Sequence, residues 1–160
     1  MKISYNWLKE YVGFDLEVNQ VSDILTSLGL EVEGVSELFT SFDHLVIGKV
    51  IECVKHPNAD KLKLTKVDIG NEIKTIVCGA PNVEKDLIVV VVKEGESLIN
   101  NKGEVFKIKK TKIRGEISEG MICAEDEIGL GSNHDGIIVI NDHNIKIGSL
   151  AKDYFNISKD

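Results

Sequence analysis

Between residues 44 and 147 the chain is a succession of short runs rich in Val and Ile, and this texture constrains the fold more than any other feature. Leu45 to Val54, Leu62 to Ile69, Glu72 to Val77, Leu87 to Val92, Val105 to Ile108 and Ile137 to Ile140 are separated by Gly, Asn, Asp or Pro. β-Branched side chains pack well on a pleated surface, and the intervening residues enter turns at little cost, so the segment reads as mostly β. Gly70-Asn71 suits a two-residue hairpin loop, and Asn100-Asn101-Lys102-Gly103 a longer one. Alternation breaks in the second run, where Leu62 and Leu64 share one parity and Val67 and Ile69 the other, as a bulge would produce. A long first run interrupted by Gly48 and five or so strands in about a hundred residues predict a small five-stranded barrel of the oligonucleotide/oligosaccharide-binding (OB) type.

The two ends of the chain have another character. All aromatic residues except Phe106 lie outside 44–147, including Tyr5, Trp7, Tyr11, Phe39, Tyr154 and Phe155. Trp7, Leu8, Tyr11 and Val12 recur at helical spacing after Ser4, and Val21, Ile24, Leu25 and Leu28 do so after Asn19, a good N-cap type, with Gly29 placed as a stop. Leu150, Ala151, Tyr154 and Phe155 form a further short stripe after Ser149, which needs a surface to cover. The N-terminal helical pair would supply it. Residues 1–43 with 148–160 are therefore predicted to form a small discontinuous α/β subdomain into which the barrel, 44–147, is inserted.

Several function classes are excluded at this level. The longest apolar run, Leu87 to Val92, is far short of the ~20 residues that cross a bilayer, and Lys9, Glu10 and Asp15 interrupt the first fifteen positions, so neither a membrane span nor a secretory signal is expected. Cys53, Cys78 and Cys123 suit neither a disulfide framework nor a zinc site and read as buried, reduced thiols of a cytoplasmic protein. His56 with Cys78, or His134 with Cys123, could be drawn as a thiol nucleophile and its base, yet neither lies in a nucleophile signature. Gly129-Leu130-Gly131-Ser132 lacks the lysine of a phosphate-cradling loop, and the acids at 125–127 do not follow a calcium-loop pattern. No catalytic residue, metal ligand or resident cofactor is expected in this segment.

Binding is better supported. The net charge of −7 hides a division: residues 1–43 hold two lysines against eight acids, whereas 44–147 hold fifteen cations against sixteen acids. In the stretch from Lys107 to Gly115, cations alternate with Ile108 and Ile113, so an extended strand can bury the isoleucines and present Lys112 and Arg114 along one edge. Such a run serves phosphates or merely guards a sheet edge. His56-Pro57-Asn58-Ala59-Asp60-Lys61 reads as a rigid corner that aims Lys61, since Pro57 holds His56 extended and Asn58 and Asp60 can bond the backbone. Asn82, after a Gly-Ala-Pro turn, offers an amide, and Ser118 and Met121 flank Gly120.

Together, His56-Pro57-x-Ala59-Asp60-Lys61-Leu62, Cys78-Gly79-Ala80-Pro81-Asn82, Lys112-x-Arg114-Gly115 and Ser118-x-Gly120-Met121-x-Cys123 resemble the tRNA-binding barrel appended to several aminoacyl-tRNA synthetases. Met1-Lys2-Ile3-Ser4-Tyr5-Asn6-Trp7-Leu8 followed by Leu28-Gly29-Leu30-Glu31-Val32-Glu33 is similar to the opening of the bacterial phenylalanyl-tRNA synthetase β chains, in which this barrel is an insert. The resemblance implies a front segment of a longer subunit, partnered by an α subunit in an α2β2 enzyme that joins phenylalanine to tRNA with ATP and magnesium, the chemistry lying outside this segment. It also implies that Lys61, Asn82, Lys112, Arg114, Ser118 and Met121 face tRNA. A barrel with a single Phe lacks the aromatic platforms on which splayed bases stack, so contact should go to phosphates and outline. About four phosphate contacts predict a fall in affinity on the order of 100-fold between 50 and 200 mM salt. The rival expectation is an interaction module that packs against other domains, its lysines serving only solubility.

Overall fold

The computed structural model describes residues 3–35, 41–100 and 102–157; Phe39 and Asn101 lie outside them. The chain divides into two compact units, Met1–Phe39 with Ser158–Asp160 and Thr40–Ile157. In the first, α1 (Tyr5–Val12) starts where expected, because the Ser4 hydroxyl accepts the Trp7 N–H at 3.0 Å. The second helix, α2 (Val18–Ser27), starts earlier than Asn19 predicts. The Gln20 side chain accepts the Glu17 N–H at 2.9 Å and so completes the first turn, leaving Asn19 inside the helix. Gly29 follows the helix in a positive-φ conformation, as its placement suggested. Neither helix contains a buried residue.

The second unit is mostly β. A 3-10 turn at Ser41–Asp43 leads into β1 (Leu45–Lys55), β2 (Lys63–Asp68), β3 (Ile73–Cys78) and β4 (Ile88–Lys93). Shorter strands follow: β5 (Ser97–Ile99), β6 (Val105–Lys107), β7 (Thr111–Ile113), β8 (Glu116–Ser118), β9 (Gly120–Ile122) and β10 (Val139–Ile140), then a one-turn helix α3 (Ala151–Tyr154). The order β10-β4-β1-β2-β3 is antiparallel throughout, with β9 also paired to β4. The Glu119 N–H donates to Thr75 O at 2.8 Å and brings the β8–β9 junction against β3, so the sheet nearly closes into a five-stranded barrel of the OB type.

The first strand is shared: Leu45–Lys49 pairs with β4, and Lys49–Lys55 with β2. Gly48 allows this bend, since a Cβ there would lie 2.8 Å from the Val67 side chain and 3.0 Å from that of Val91. A bulge exists, but on the partner of the strand expected to carry it: the register shifts between Val50 and Glu52 of β1. β2 itself alternates cleanly, with Thr65 and Val67 inward. Thr65 is fully buried because its hydroxyl donates to Ile76 O at 2.8 Å, which makes a polar side chain acceptable inside. The Gly70-Asn71 loop forms as predicted, with Ile69 N–H donating to Glu72 O and φ positive at Gly70 only, the signature of a type II′ turn.

Every residue of β4 from Ile88 to Val92 is buried. Val89 and Val91 point into the barrel with Val50, Val67 and Ile76, while Ile88, Val90 and Val92 join an outer cluster built with Phe42, Leu45 and Leu98. From the stripe Leu150–Phe155, Ala151 and Phe155 join this outer cluster. Gly148 N–H donates to Ile47 O, Ser149 O accepts from Ile47, and Leu150 bridges to Val46, so the chain is laid along β1 with Ala151 and Phe155 against Phe42.

Candidate nucleic-acid interface

The 56–62 corner is closed at its neck by His56 N–H donating to Leu62 O and braced by Leu62 N–H on Ala59 O. His56 is 3% exposed, an expensive place for an imidazole unless both nitrogens are satisfied. They are. Nδ1 accepts the Asn58 backbone N–H at 3.0 Å, which puts the ring proton on Nε2, and Nε2 donates to Ile113 O at 3.1 Å. Asn58 Nδ2 then donates to Arg114 O at 3.1 Å. Two loops more than fifty residues apart in sequence are fastened together by adjacent carbonyls of one hairpin.

That hairpin is β7–β8, with Arg114 and Gly115 as its two loop residues at φ 53° and 104°. Both positive values define a type I′ turn, whose twist suits a tight hairpin but whose first position ordinarily prefers Asn, Asp or Gly. An arginine there costs about 1 kcal/mol or more. Lys112 on β7 and Arg114 at the tip are exposed, as is Lys61 on the facing corner. Among the described residues none of these three cations is ion-paired, whereas Lys110 is held by Glu119 at 2.8 Å and Lys55 by Asp60 at 3.0 Å. Lys61 also lines an open groove of about 670 Å³ with Lys85 and the turn Gly79–Pro81. Lys63, in the same groove, is committed to Val83 O at 2.7 Å.

The other three expected tRNA-facing residues make contacts within the protein, with Asn82 exposed, Met121 half-buried and Ser118 buried. Asn82 accepts the Ile137 N–H at 2.9 Å and donates to Ile137 O at 3.0 Å, a two-point clamp between the 79–85 turn and the approach to β10. Ser118 is buried: its hydroxyl accepts the Val77 N–H at 3.1 Å and donates to Gly120 O at 3.0 Å, tying β8 to β3. Met121 packs half-buried against the outer core cluster. Sequence reasoning missed the reach of Asn58, for which it offered only a local turn; the signal present was the Asx type beside Pro57, and nothing specified a partner at residue 114.

Neither thiol pair forms. Both nitrogens of His56 are on backbone groups, and His134 stands exposed against Asp126 at 3.0 Å, which raises its pKa. Burial pushes the thiol of Cys78 up and that of Cys123 well up, the opposite of an activated nucleophile. Among the described residues no group of three or more His, Cys, Asp and Glu side chains is placed to hold a metal ion, and no helix is long and apolar enough to cross a membrane.

A nearly closed β barrel with a cationic corner is the form of a nucleic-acid-binding module, and residues 45–149 match the family described as "Putative tRNA binding domain", to which the chain belongs. Over its whole length the chain is 55% identical to the phenylalanine–tRNA ligase beta subunit of Bacteroides fragilis and 53% identical to that of Bacteroides thetaiotaomicron, covering 20% of each. It is 49% identical to the same subunit of Chlorobaculum tepidum over 89% of this chain and 18% of that protein. The chain thus spans about a fifth of the length of the curated relatives it matches.

Proposed function

We propose that this chain is the tRNA-holding module of a phenylalanine–tRNA ligase β subunit, gripping folded tRNA with Lys61, Lys112 and Arg114 while chemistry proceeds elsewhere in a cytoplasmic α2β2 enzyme. The observation that supports the reading is the meeting of the 56–62 corner and the 111–118 hairpin, two segments that carry three exposed cations with no carboxylate partner among the described residues. Phosphates on a folded backbone are the natural ligand of such an array. The two loops contain no Phe, Tyr or Trp, the His56 ring is buried, and Phe106, the one such residue between 44 and 147, is packed against the outer core cluster, so bases have no platform to stack on. Recognition then follows the outline of structured RNA.

ATP and magnesium belong in this proposal to the longer enzyme. The described residues gather no carboxylate set that would hold an ion and no Gly-rich loop with a lysine, so no step through either group is assigned to them.

With Asn82 and Ser118 engaged internally, three phosphate contacts remain in place of four. Affinity for folded tRNA should fall about 40-fold between 50 and 200 mM salt, a log–log slope near ~2.7. Filter binding of the chain to folded tRNA across that range tests it. Negligible salt dependence, or tighter binding to an unstructured RNA of equal length, overturns the reading. If Lys112→Ala with Arg114→Ala leaves tRNA binding intact but disrupts association with the α subunit, the barrel is a packing module.

A further inference from the structure

We propose that His56 and Asn58 are positioning residues for this interface: without touching RNA, they set where the β7–β8 tip presents Lys112 and Arg114. The inference rests on the tRNA reading above and adds to it a reason why the corner and the hairpin act as one surface.

The hairpin cannot fix its own position. β7 and β8 are three residues each and pair only with one another, and an isolated ladder of that size is marginal in water. Its direction is therefore set by attachments. The base is fastened by Ser118, through the Val77 N–H, and by the Lys110–Glu119 pair. At the tip, the hydrogen bonds to its carbonyls from other segments among the described residues come from the corner: His56 Nε2 on Ile113 O and Asn58 Nδ2 on Arg114 O. These hold two successive carbonyls, one in each of the peptide units that flank the Arg114 Cα (113–114 and 114–115), and fixing both planes sets the direction in which the Arg114 side chain leaves. The strained φ of Arg114 points the same way, since a left-handed arginine persists where its surroundings over-determine it. Gly115 completes the fit, its Cα side lying against Asn58, where an added Cβ would stand 3.4 Å from Nδ2.

The two residues divide the task by burial. His56 is enclosed and held in one tautomer by the Asn58 N–H, so it is a rigid post. Asn58 is exposed and can be truncated without opening a cavity, which makes it the informative site to change.

The test is a double-mutant cycle on the intact chain, read as tRNA affinity across a salt series. Asn58→Ala should weaken binding about two- to tenfold, the range one hydrogen bond spans, and should flatten the salt slope by roughly one phosphate, with the melting temperature little changed. In a Lys112→Ala, Arg114→Ala background the same substitution should do nothing further. Among His56 variants, Gln, which keeps a donor for Ile113 O, should retain more affinity than Leu at matched folded fraction. An equal loss from Asn58→Ala in both backgrounds would mean that Asn58 contacts RNA itself, and the positioning role would be wrong. No loss in the wild-type background, with the double cation variant strongly impaired, would also overturn it while leaving the tRNA reading intact. If the double cation variant binds tRNA normally, that reading fails and this inference with it.

Discussion

Strand β4 and the β7–β8 hairpin are both extended chain in the same barrel, yet they are held by opposite means. β4 has no solvent face and is gripped by apolar side chains from the barrel interior on one side and from the outer cluster on the other. The hairpin buries little and is located by three hydrogen bonds to other segments and one ion pair at its ends. Apolar burial is non-directional and sums over area, so it makes a strand stable; polar fasteners contribute less energy but specify direction. A segment that must aim charged groups at a ligand is better served by the second.

The contrast can be broken by substitution, most strongly in the first region. Ile88→Ala should cost about 2 to 5 kcal/mol through lost transfer energy and a residual cavity, seen as a lower denaturant midpoint, and should affect tRNA binding only through the folded fraction. Asn82→Ala leaves the backbone N–H and C=O of buried Ile137 unpaired and should cost about 1 to 3 kcal/mol, again without changing the salt slope of the folded fraction. If that variant loses affinity at full folding, Asn82 faces the ligand after all. Arg114→Asn should separate stability from binding: the left-handed position is relieved, raising stability by up to about 1 kcal/mol, while tRNA affinity falls.

The smallest effect is on acid sensitivity. Lys110 and the Thr75 N–H both donate to Glu119 and hold its carboxyl below the ordinary value. The folded state thus favours the ionised form, and this contribution is present above the unfolded carboxylate pKa and lost as pH falls through the lower folded one. Melting curves from about pH 7 to about pH 3 should therefore converge for wild type and Glu119→Gln at the acid end. Divergence there would place the hairpin's base elsewhere.

How much of this was written in the sequence follows the same line. The Val and Ile runs located β1 to β4 because burial is a property of residue type, and the Gly70-Asn71 loop was readable because φ preference is local. Thr65 was passed over because its inward placement depends on a hydroxyl partner, Ile76 O, that no pattern displays. The parity break it left was then assigned to a bulge that lies across the ladder in β1. Ser118 is buried, and the amide of exposed Asn82 engaged, for a related reason: a short polar side chain serves equally at a surface or as an internal fastener, and only the fold decides. The cations Lys61, Lys112 and Arg114 carried no such ambiguity, since an unpaired charge is costly to bury.

The uninterrupted valines of β4 leave one issue for the folding chain itself. A strand that is greasy on both sides offers no polarity contrast by which to tell one alignment from its neighbour, for a slip of one position exchanges valine for valine. Correct alignment must be recognised at the margins, where Lys93 would be dragged inward by a shift, and at the notch left by Gly48, which accepts the side chain of Val91. Those two positions, neither of which contributes much apolar area, act as the alignment marks of the barrel.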